Sequence, residues 1–316
     1  MMLTTRSARP ATAVPVATGA GLSALVMGWV TIVLVLDAHG SLWQQRALGL
    51  LTWAVLAWVL SREVSLVRAQ TLVVVGFATA VEYTCSPLLH VYLYRFHNVP
   101  AYVPPGHGLV YLAALGIGRS RFVRSHLRRC LAAVVATGGA YALWGVTLSP
   151  RLDVLGVFWF GCLLGFIAWG PSKPLYVGAF VVVTYLEILG TSVGTWAWQT
   201  HDPTGLVAIG NPPSGAAGGY GWFDLAALAA APSLLAGWHR ATARSRSDVA
   251  GTGAAASHVA GTAAAASHVA GTGAAASHVA GTAEADISGA NRYGWRVKRG
   301  IREQSPVASG DSQRSG

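Results

Sequence analysis

The chain has 316 residues, 53% of them hydrophobic and 11% charged, with a net charge of +10. Soluble domains carry roughly 25% charged residues, so this composition excludes an ordinary soluble fold and indicates a membrane protein. The surplus of Arg and Lys sorts into alternate loops, which makes it a topology signal and argues against nucleic-acid binding.

A membrane-crossing helix needs about 20 apolar residues for a hydrocarbon layer of roughly 30 Å. The first window, 19–37, follows Arg6 and Arg9. No small-x-small cleavage site comes after "ALVMGWVTIVLVLD", so it reads as a retained signal anchor. Further windows follow at 44–61, 67–85, 107–118, 129–148, 153–170, 174–195 and 216–238. The fourth is short unless it starts near Tyr102 or runs on toward Phe122. The pattern predicts an all-α, polytopic fold of about eight transmembrane helices.

With the N-terminus inside, the inner segments hold Arg62, Arg68, Arg119, Arg121, Arg124, Arg128, Arg129, Lys173, Arg240, Arg244 and Arg246 as well as the two N-terminal arginines. The outer ones hold Arg46, Arg95 and Arg151. This bias predicts that both chain ends are cytoplasmic, and that "GRSRFVRSHLRR" and "RYGWRVKRG" meet the anionic inner leaflet. From Val249 a ten-residue unit recurs in "VAGTGAAASHVAGTAAAASHVAGTGAAASHVAGTA". The period is too short for a solenoid and offers little to bury, so residues 241–316 are expected to be a disordered cytoplasmic tail. His258, His268 and His278 recur in it without making a preformed metal site. Cys85, Cys130 and Cys162 lie near different spans and form no metal or redox spacing.

An internal duplication organises the rest. The third span contains "TAVEYTCS" and the seventh "TYLEILGT". Thr79, Glu82 and Ser86 thereby match Thr184, Glu187 and Thr191, three side chains on one helix face in each copy. About ten residues after each Glu comes an aromatic-x-aromatic pair, Tyr92 and Tyr94 or Trp196 and Trp198. A loop with a double proline follows, "NVPAYVPPGHGLVYLAAL" or "GLVAIGNPPSGAAGGYGWFDLAAL", leading into a span that ends in "LAAL". The chain thus divides into an N-terminal segment (1–18), a four-helix repeat (19–122), a basic linker (123–128), a second four-helix repeat (129–240) and the tail. Four spans per half is an even number, so the repeats are parallel, related by an axis along the membrane normal.

Ionisable groups inside a membrane default to function. Two carboxylates sharing a site tend to hold one proton between them, so Glu82 and Glu187 are candidates for acid-base work; the structural alternative is interhelical hydrogen bonding. Asp224, inside the eighth span, is either a third member of that site or a packing acceptor. The outer loops add His90, Arg95, His97, His107, His201, Asp202 and Asn211. The proline pairs predict stiff, extended loop segments, the aromatic pairs either an interfacial belt or a ligand cage, and "GTSVG" (190–194) close helix packing. No spacing fits a zinc site, and no nucleotide-binding, metalloprotease or serine-hydrolase motif occurs; no cofactor or metal is expected.

At "VEYTCSPLLHVYLYRFHNVPAYVPP" and "LEILGTSVGTWAW" the chain resembles multi-pass membrane proteins of actinobacteria. More distantly it resembles the carotenoid hydratase family, integral membrane enzymes that add water to terminal double bonds of long isoprenoids. The resemblance covers the regions around the two glutamates and implies a bacterial inner-membrane location. It also implies an acid that protonates an alkene and a base that guides water. Glu82 and Glu187 would fill those roles, supported by Asp224 and His107. Apart from the resemblance, Thr79, Ser86, Tyr92, Tyr94, Arg95, Thr184, Thr191, Trp196, Trp198 and Asn211 are the candidate residues around a hydrophobic substrate. The residues themselves leave three readings open: such an enzyme, a proton-coupled transporter, and a non-catalytic subunit of an envelope complex.

Overall fold

Each apolar window becomes a helix in the computed structural model, which describes residues 19–266. The helices are α1 (Ala20–His39), α2 (Leu42–Leu60), α3 (Ser65–Tyr83), α4 (Val103–Arg119), the short α5 (Arg121–Ser125), α6 (Leu127–Thr147), α7 (Val154–Trp169), α8 (Lys173–Ser192) and α9 (Ala216–Ala266). Two three-residue strands, β1 (Tyr92–Tyr94) and β2 (Trp196–Trp198), complete the elements.

Four helical stretches among the described residues are long and apolar enough to cross a membrane: Gly21–His39, Ser65–Leu88, Leu127–Thr147 and Lys173–Ser192. Val154–Trp169 is a shorter apolar helix. Large apolar side chains such as Trp43, Leu50, Leu88, Leu148 and Trp169 stand exposed on the exterior, a surface that lipid accepts and water does not. These features are those of a membrane protein.

The short fourth window has a packing explanation. Every residue of α4 from His107 to Gly116 is buried, as expected for a helix that is apolar all round and therefore lies inside the fold. α4 packs on α1, α2, α3 and α8, while α8 also meets α1, α6 and α7, so α4 and α8 form the centre. Their contact needs Gly178, where a Cβ would overlap the Ala114 carbonyl; only a residue without a side chain permits backbones to come this close. α9 closes against both halves, with Phe223 edge-on to Phe77 of α3 (ring centroids 5.2 Å apart) and Trp222 edge-on to Phe166 of α7 (5.2 Å).

At one end of the fold, polar networks fix the connecting loops. Buried Asp37, at the end of α1, accepts from Gln45 Nε2 (3.0 Å) and from the Tyr102 hydroxyl (2.8 Å), with Arg95 at 4.0 Å. Arg95 also donates to the Gly40 carbonyl. In the second half, Asp153 caps α7 through Gly156 N–H (2.9 Å) and receives Gly210 N–H (2.8 Å) and Ser214 N–H (2.6 Å). Arg151 donates to the carbonyls of Ile209 (2.6 Å), Trp198 (2.7 Å) and Gln199. A carboxylate with three backbone donors and a guanidinium with three carbonyls lock the loop before α9 onto the start of α7.

The aromatic-x-aromatic pairs turn out to pair with each other. β1 and β2 are antiparallel neighbours, with Tyr92 opposite Trp198, Leu93 opposite Ala197 and Tyr94 opposite Trp196. Before β1, α3 ends in a π turn, Thr84–Leu88, that contains Pro87. The path from Glu82 to Tyr92 is ten residues and from Glu187 to Trp196 nine; a π turn absorbs one extra residue in a helix, which accounts for the difference.

One expectation is corrected and two are refined. Pro104 and Pro105 are not extended loop but lie in the first turn of α4, where proline's missing N–H costs nothing and its φ is preset. The basic linker at 123–128 is largely helical, taken up by the end of α5 and the start of α6. The tail does not lose helix at Val249, since α9 runs to Ala266, where alanine offsets the cost of about 1 kcal/mol per interior glycine. A second compact unit begins at Gly253; its described part is the final stretch of α9. The remaining tail, with "RYGWRVKRG" and two of the repeated histidines, lies outside the described residues, as do residues 1–18.

Candidate functional site

Strand periodicity builds the site. Residues i and i+2 of a strand share a face, so Tyr92 and Tyr94 turn the same way from β1, and Trp196 and Trp198 do so from β2. Each pair reaches back to the glutamate of the helix that precedes it. Tyr92 and Tyr94 donate their hydroxyls to Glu82 Oε2 at 2.9 and 2.8 Å. Trp196 and Trp198 donate their indole N–H groups to Glu187 Oε2 at 3.2 and 3.1 Å. Both glutamates are buried, 6% and 4% exposed, so these donors replace water.

The remaining oxygen of Glu82 differs. Oε1 meets Nε2 of His107 at 2.8 Å. His107 comes from the second turn of α4, and its ring is stacked on Tyr220 of α9 (5.1 Å between centroids) and edge-on to Phe223 (5.4 Å). Tyr220 and Glu187 line the same space. Glu82, His107 and Glu187 line a single cavity of about 490 Å³ with Tyr220 and the four strand aromatics, a size typical of small-molecule sites. Its further wall is apolar, from Val30 and Val33 of α1 to Leu155 of α7, and includes Phe77 and Trp222, both exposed on the apolar exterior.

The cavity thus brings together Glu82, Glu187, His107, Tyr92, Tyr94, Trp196 and Trp198 from the residues singled out in the sequence. Asp202 and Cys85 also reach its lining; the rest lie elsewhere. The hydroxyls of Thr79 and Thr191 bond their own helices, at the carbonyls of Val75 (2.6 Å) and Glu187 (2.7 Å), the usual outcome for a mid-helix threonine. Ser86 is buried in the π turn and Thr184 is half-buried on α8; neither lines the cavity. Arg95 serves the Asp37 network. Asn211 accepts from Trp198 N–H at 2.9 Å and so fixes the edge of β2. Asp224 lies one turn beyond Tyr220 and lines a separate, much smaller cavity that also touches His107.

His90 and His97 take positive φ values in the turns flanking β1, and Asp202 organises a turn by accepting from Thr204 Oγ1 (2.6 Å) and Val207 N–H (2.8 Å). Those hydrogen bonds hold its carboxyl below the ordinary aspartate range. The glycines of "GTSVG" serve the turn into β2. Gly190 leaves room for the Trp196 ring, which a Cβ there would overlap, and Gly194 has φ +76° in the turn into β2. Tyr220 was not singled out, although it stacks on His107 and lines the cavity with Glu187; its signal was the four-residue spacing to Asp224 on one helix face. Among the described residues no group of three or more His, Cys, Asp or Glu could hold a metal ion, and Cys85, Cys130 and Cys162 are free thiols.

Fold and site together define an α-helical membrane protein with two buried carboxylates facing one aromatic, otherwise apolar cavity. Comparison with known proteins finds no matching family model, no matching curated protein and no matching solved structure.

Proposed function

We propose that the protein is an enzyme acting on an unsaturated, membrane-soluble lipid or isoprenoid, adding water across a carbon–carbon double bond. One observation carries this reading: two buried carboxylates with different partners face the same apolar cavity. Glu82 shares a hydrogen bond with His107, an arrangement that keeps a proton at hand. Glu187 is held by two indole N–H groups, which can only donate, leaving its oxygens as proton acceptors.

The steps then balance. Glu82 gives its proton to one alkene carbon, and the other carbon becomes cationic. The π faces of Trp196, Trp198, Tyr92 and Tyr94 stabilise that cation. Water forms the C–O bond while Glu187 takes its released proton, and the proton returns across the cavity to Glu82. The apolar wall suits a hydrocarbon chain that enters from the bilayer past Phe77 and Trp222. General acid-base contributions of this kind amount to about 10²–10⁴-fold in rate.

The reading includes the topology. Eight spans form two parallel four-helix repeats, with both ends cytoplasmic and the strand end at the outer face of a bacterial inner membrane. The strand register supports the repeat, because Leu93 opposite Ala197 makes the pairing symmetric under exchange of the halves, as a two-fold axis along the membrane normal requires. The same symmetry favours a second reading, proton-coupled transport of a small apolar solute through the shared cavity.

One experiment separates the two. Cells with and without the gene are compared for polar derivatives of membrane isoprenoids and lipids, alongside Glu82→Gln and Glu187→Gln variants. Loss of a hydroxylated product in both variants supports hydration. Unchanged profiles, together with a proton-dependent flux in vesicles that both variants abolish, would replace hydration with transport.

A further inference from the structure

Two buried polar atoms that the proposed chemistry does not use face one small space. Nδ1 of His107 and Oδ2 of Asp224 make no hydrogen bond within the described residues, although the residues are only 6% and 5% exposed. A buried polar atom left without a partner is destabilising, so a hidden partner is expected at each. Both residues line a second cavity of about 10 Å³, together with Tyr111, Tyr220 and Phe223. This is about the space one water molecule needs, provided it has two or more polar partners.

Local geometry explains why the two side chains converge. Tyr220 stacks on the imidazole of His107, and Asp224 follows Tyr220 by four residues on the same face of α9. Its carboxylate is therefore offset by one helical turn from the stacked ring. Phe223, edge-on to the same imidazole, lines both this space and the large cavity. Ala179 and Val183 of α8 supply the apolar floor.

We propose that this cavity binds one water molecule, which accepts a hydrogen bond from Nδ1–H of His107 and donates one to the carboxylate of Asp224. Asp224 is then a positioning residue. By keeping a proton on Nδ1 it fixes the ring so that Nε2 shares a second proton with Glu82 Oε1, whether that proton rests on the carboxyl or on the imidazole. Only the use of the Glu82 proton rests on the proposed hydration; the water bridge and the ring tautomer do not.

The test is magic-angle-spinning NMR of the full-length, ¹⁵N-histidine-labelled protein in lipid bilayers, with the His107 signals identified by their loss in His107→Gln. A water-exchange cross-peak at a protonated Nδ1 is expected. Asp224→Leu removes the acceptor at similar volume, and Ala179→Val fills the space with two methyl groups without touching either polar residue. Both are expected to abolish the cross-peak and move the ring toward the Nε2-protonated tautomer. Absence of the cross-peak in the unmodified protein would overturn the proposal, and so would a change in only one of the two variants, which would mean that either the water or the carboxylate plays no part. No turnover is measured, so failure of the water bridge and failure of the hydration reading are told apart.

Discussion

Substitution of Glu82 tests whether its carboxylate organises the site. Three buried donors or donor-acceptors converge on it: Tyr92 at 2.9 Å, Tyr94 at 2.8 Å and His107 at 2.8 Å. Glu82→Ala leaves all three unpartnered, at about 1–3 kcal/mol each, so the loss of stability is expected to reach about 3–9 kcal/mol. In a domain of this size each kcal/mol lowers Tm by about 2–4 °C, so Tm should fall by at least about 6 °C. Glu82→Gln keeps an oxygen for the two tyrosines and offers an N–H₂ group to Nε2. It weakens charge-assisted bonds by about 1 kcal/mol apiece but no longer buries a carboxyl, and the two effects roughly cancel. Thermal unfolding in detergent should therefore separate the variants, with the Gln protein within about 4 °C of the unmodified one, while under the hydration reading both lose product formation by about 10²-fold or more. Equal Tm values for Ala and Gln would refute the claim that Glu82 holds the two tyrosines and the histidine in place.

Two further outcomes follow from the packing and the charges. Gly178→Ala puts a methyl group into the Ala114 carbonyl and should destabilise by about 1–3 kcal/mol, whereas Gly76→Ala, with open space around it, should be neutral or stabilising by up to about 1 kcal/mol; a ranking in the opposite order by thermal unfolding would count against the central α4–α8 contact. Glu63, in the turn between α2 and α3, has its carboxyl raised above the ordinary value by burial, against the lowering effect of Arg119 and Arg68. A raised folded value means the native state holds the proton more tightly, so this contribution to stability is complete below the unfolded value, about 4.3, and is lost as pH rises through the folded value. Glu63→Gln should flatten that part of the Tm-against-pH curve, and an unchanged slope would show that the group titrates alike in both states.

Much of the fold was legible because its signals are local. Long apolar runs announce helices, and each window fell on one. The glutamates, tyrosines and tryptophans were legible because their spacing repeats. What escaped the sequence depends on contacts between distant segments. Nothing in "YLY" or "WAW" says that β1 will pair with β2, and that pairing turns two candidate belts into one lining. Threonine and serine beside a buried glutamate look like ligands in a helical wheel, yet Thr79 and Thr191 bond carbonyls of their own helices, an option a wheel does not display. His107 was legible only as a loop histidine, since a double proline reads as a loop; placing those prolines in the first turn of α4 is what carries His107 inward to Glu82.

The differences between the surroundings of Glu82 and Glu187 bear more on the proposed chemistry than their likeness does. With identical partners the two carboxylates would share a proton evenly, and neither would be set as acid or as base by its surroundings. Here the strand after Glu82 carries tyrosines, and the strand after Glu187 carries tryptophans. A hydroxyl can donate or accept, but an indole N–H only donates. Only Glu82 bonds a histidine, because α4 carries His107 to it, while Tyr220 of α9 lines the same space as Glu187. Replacing Trp196 and Trp198 together with tyrosine would make the two glutamates more alike, so under the hydration reading it should impair conversion far more than it impairs folding.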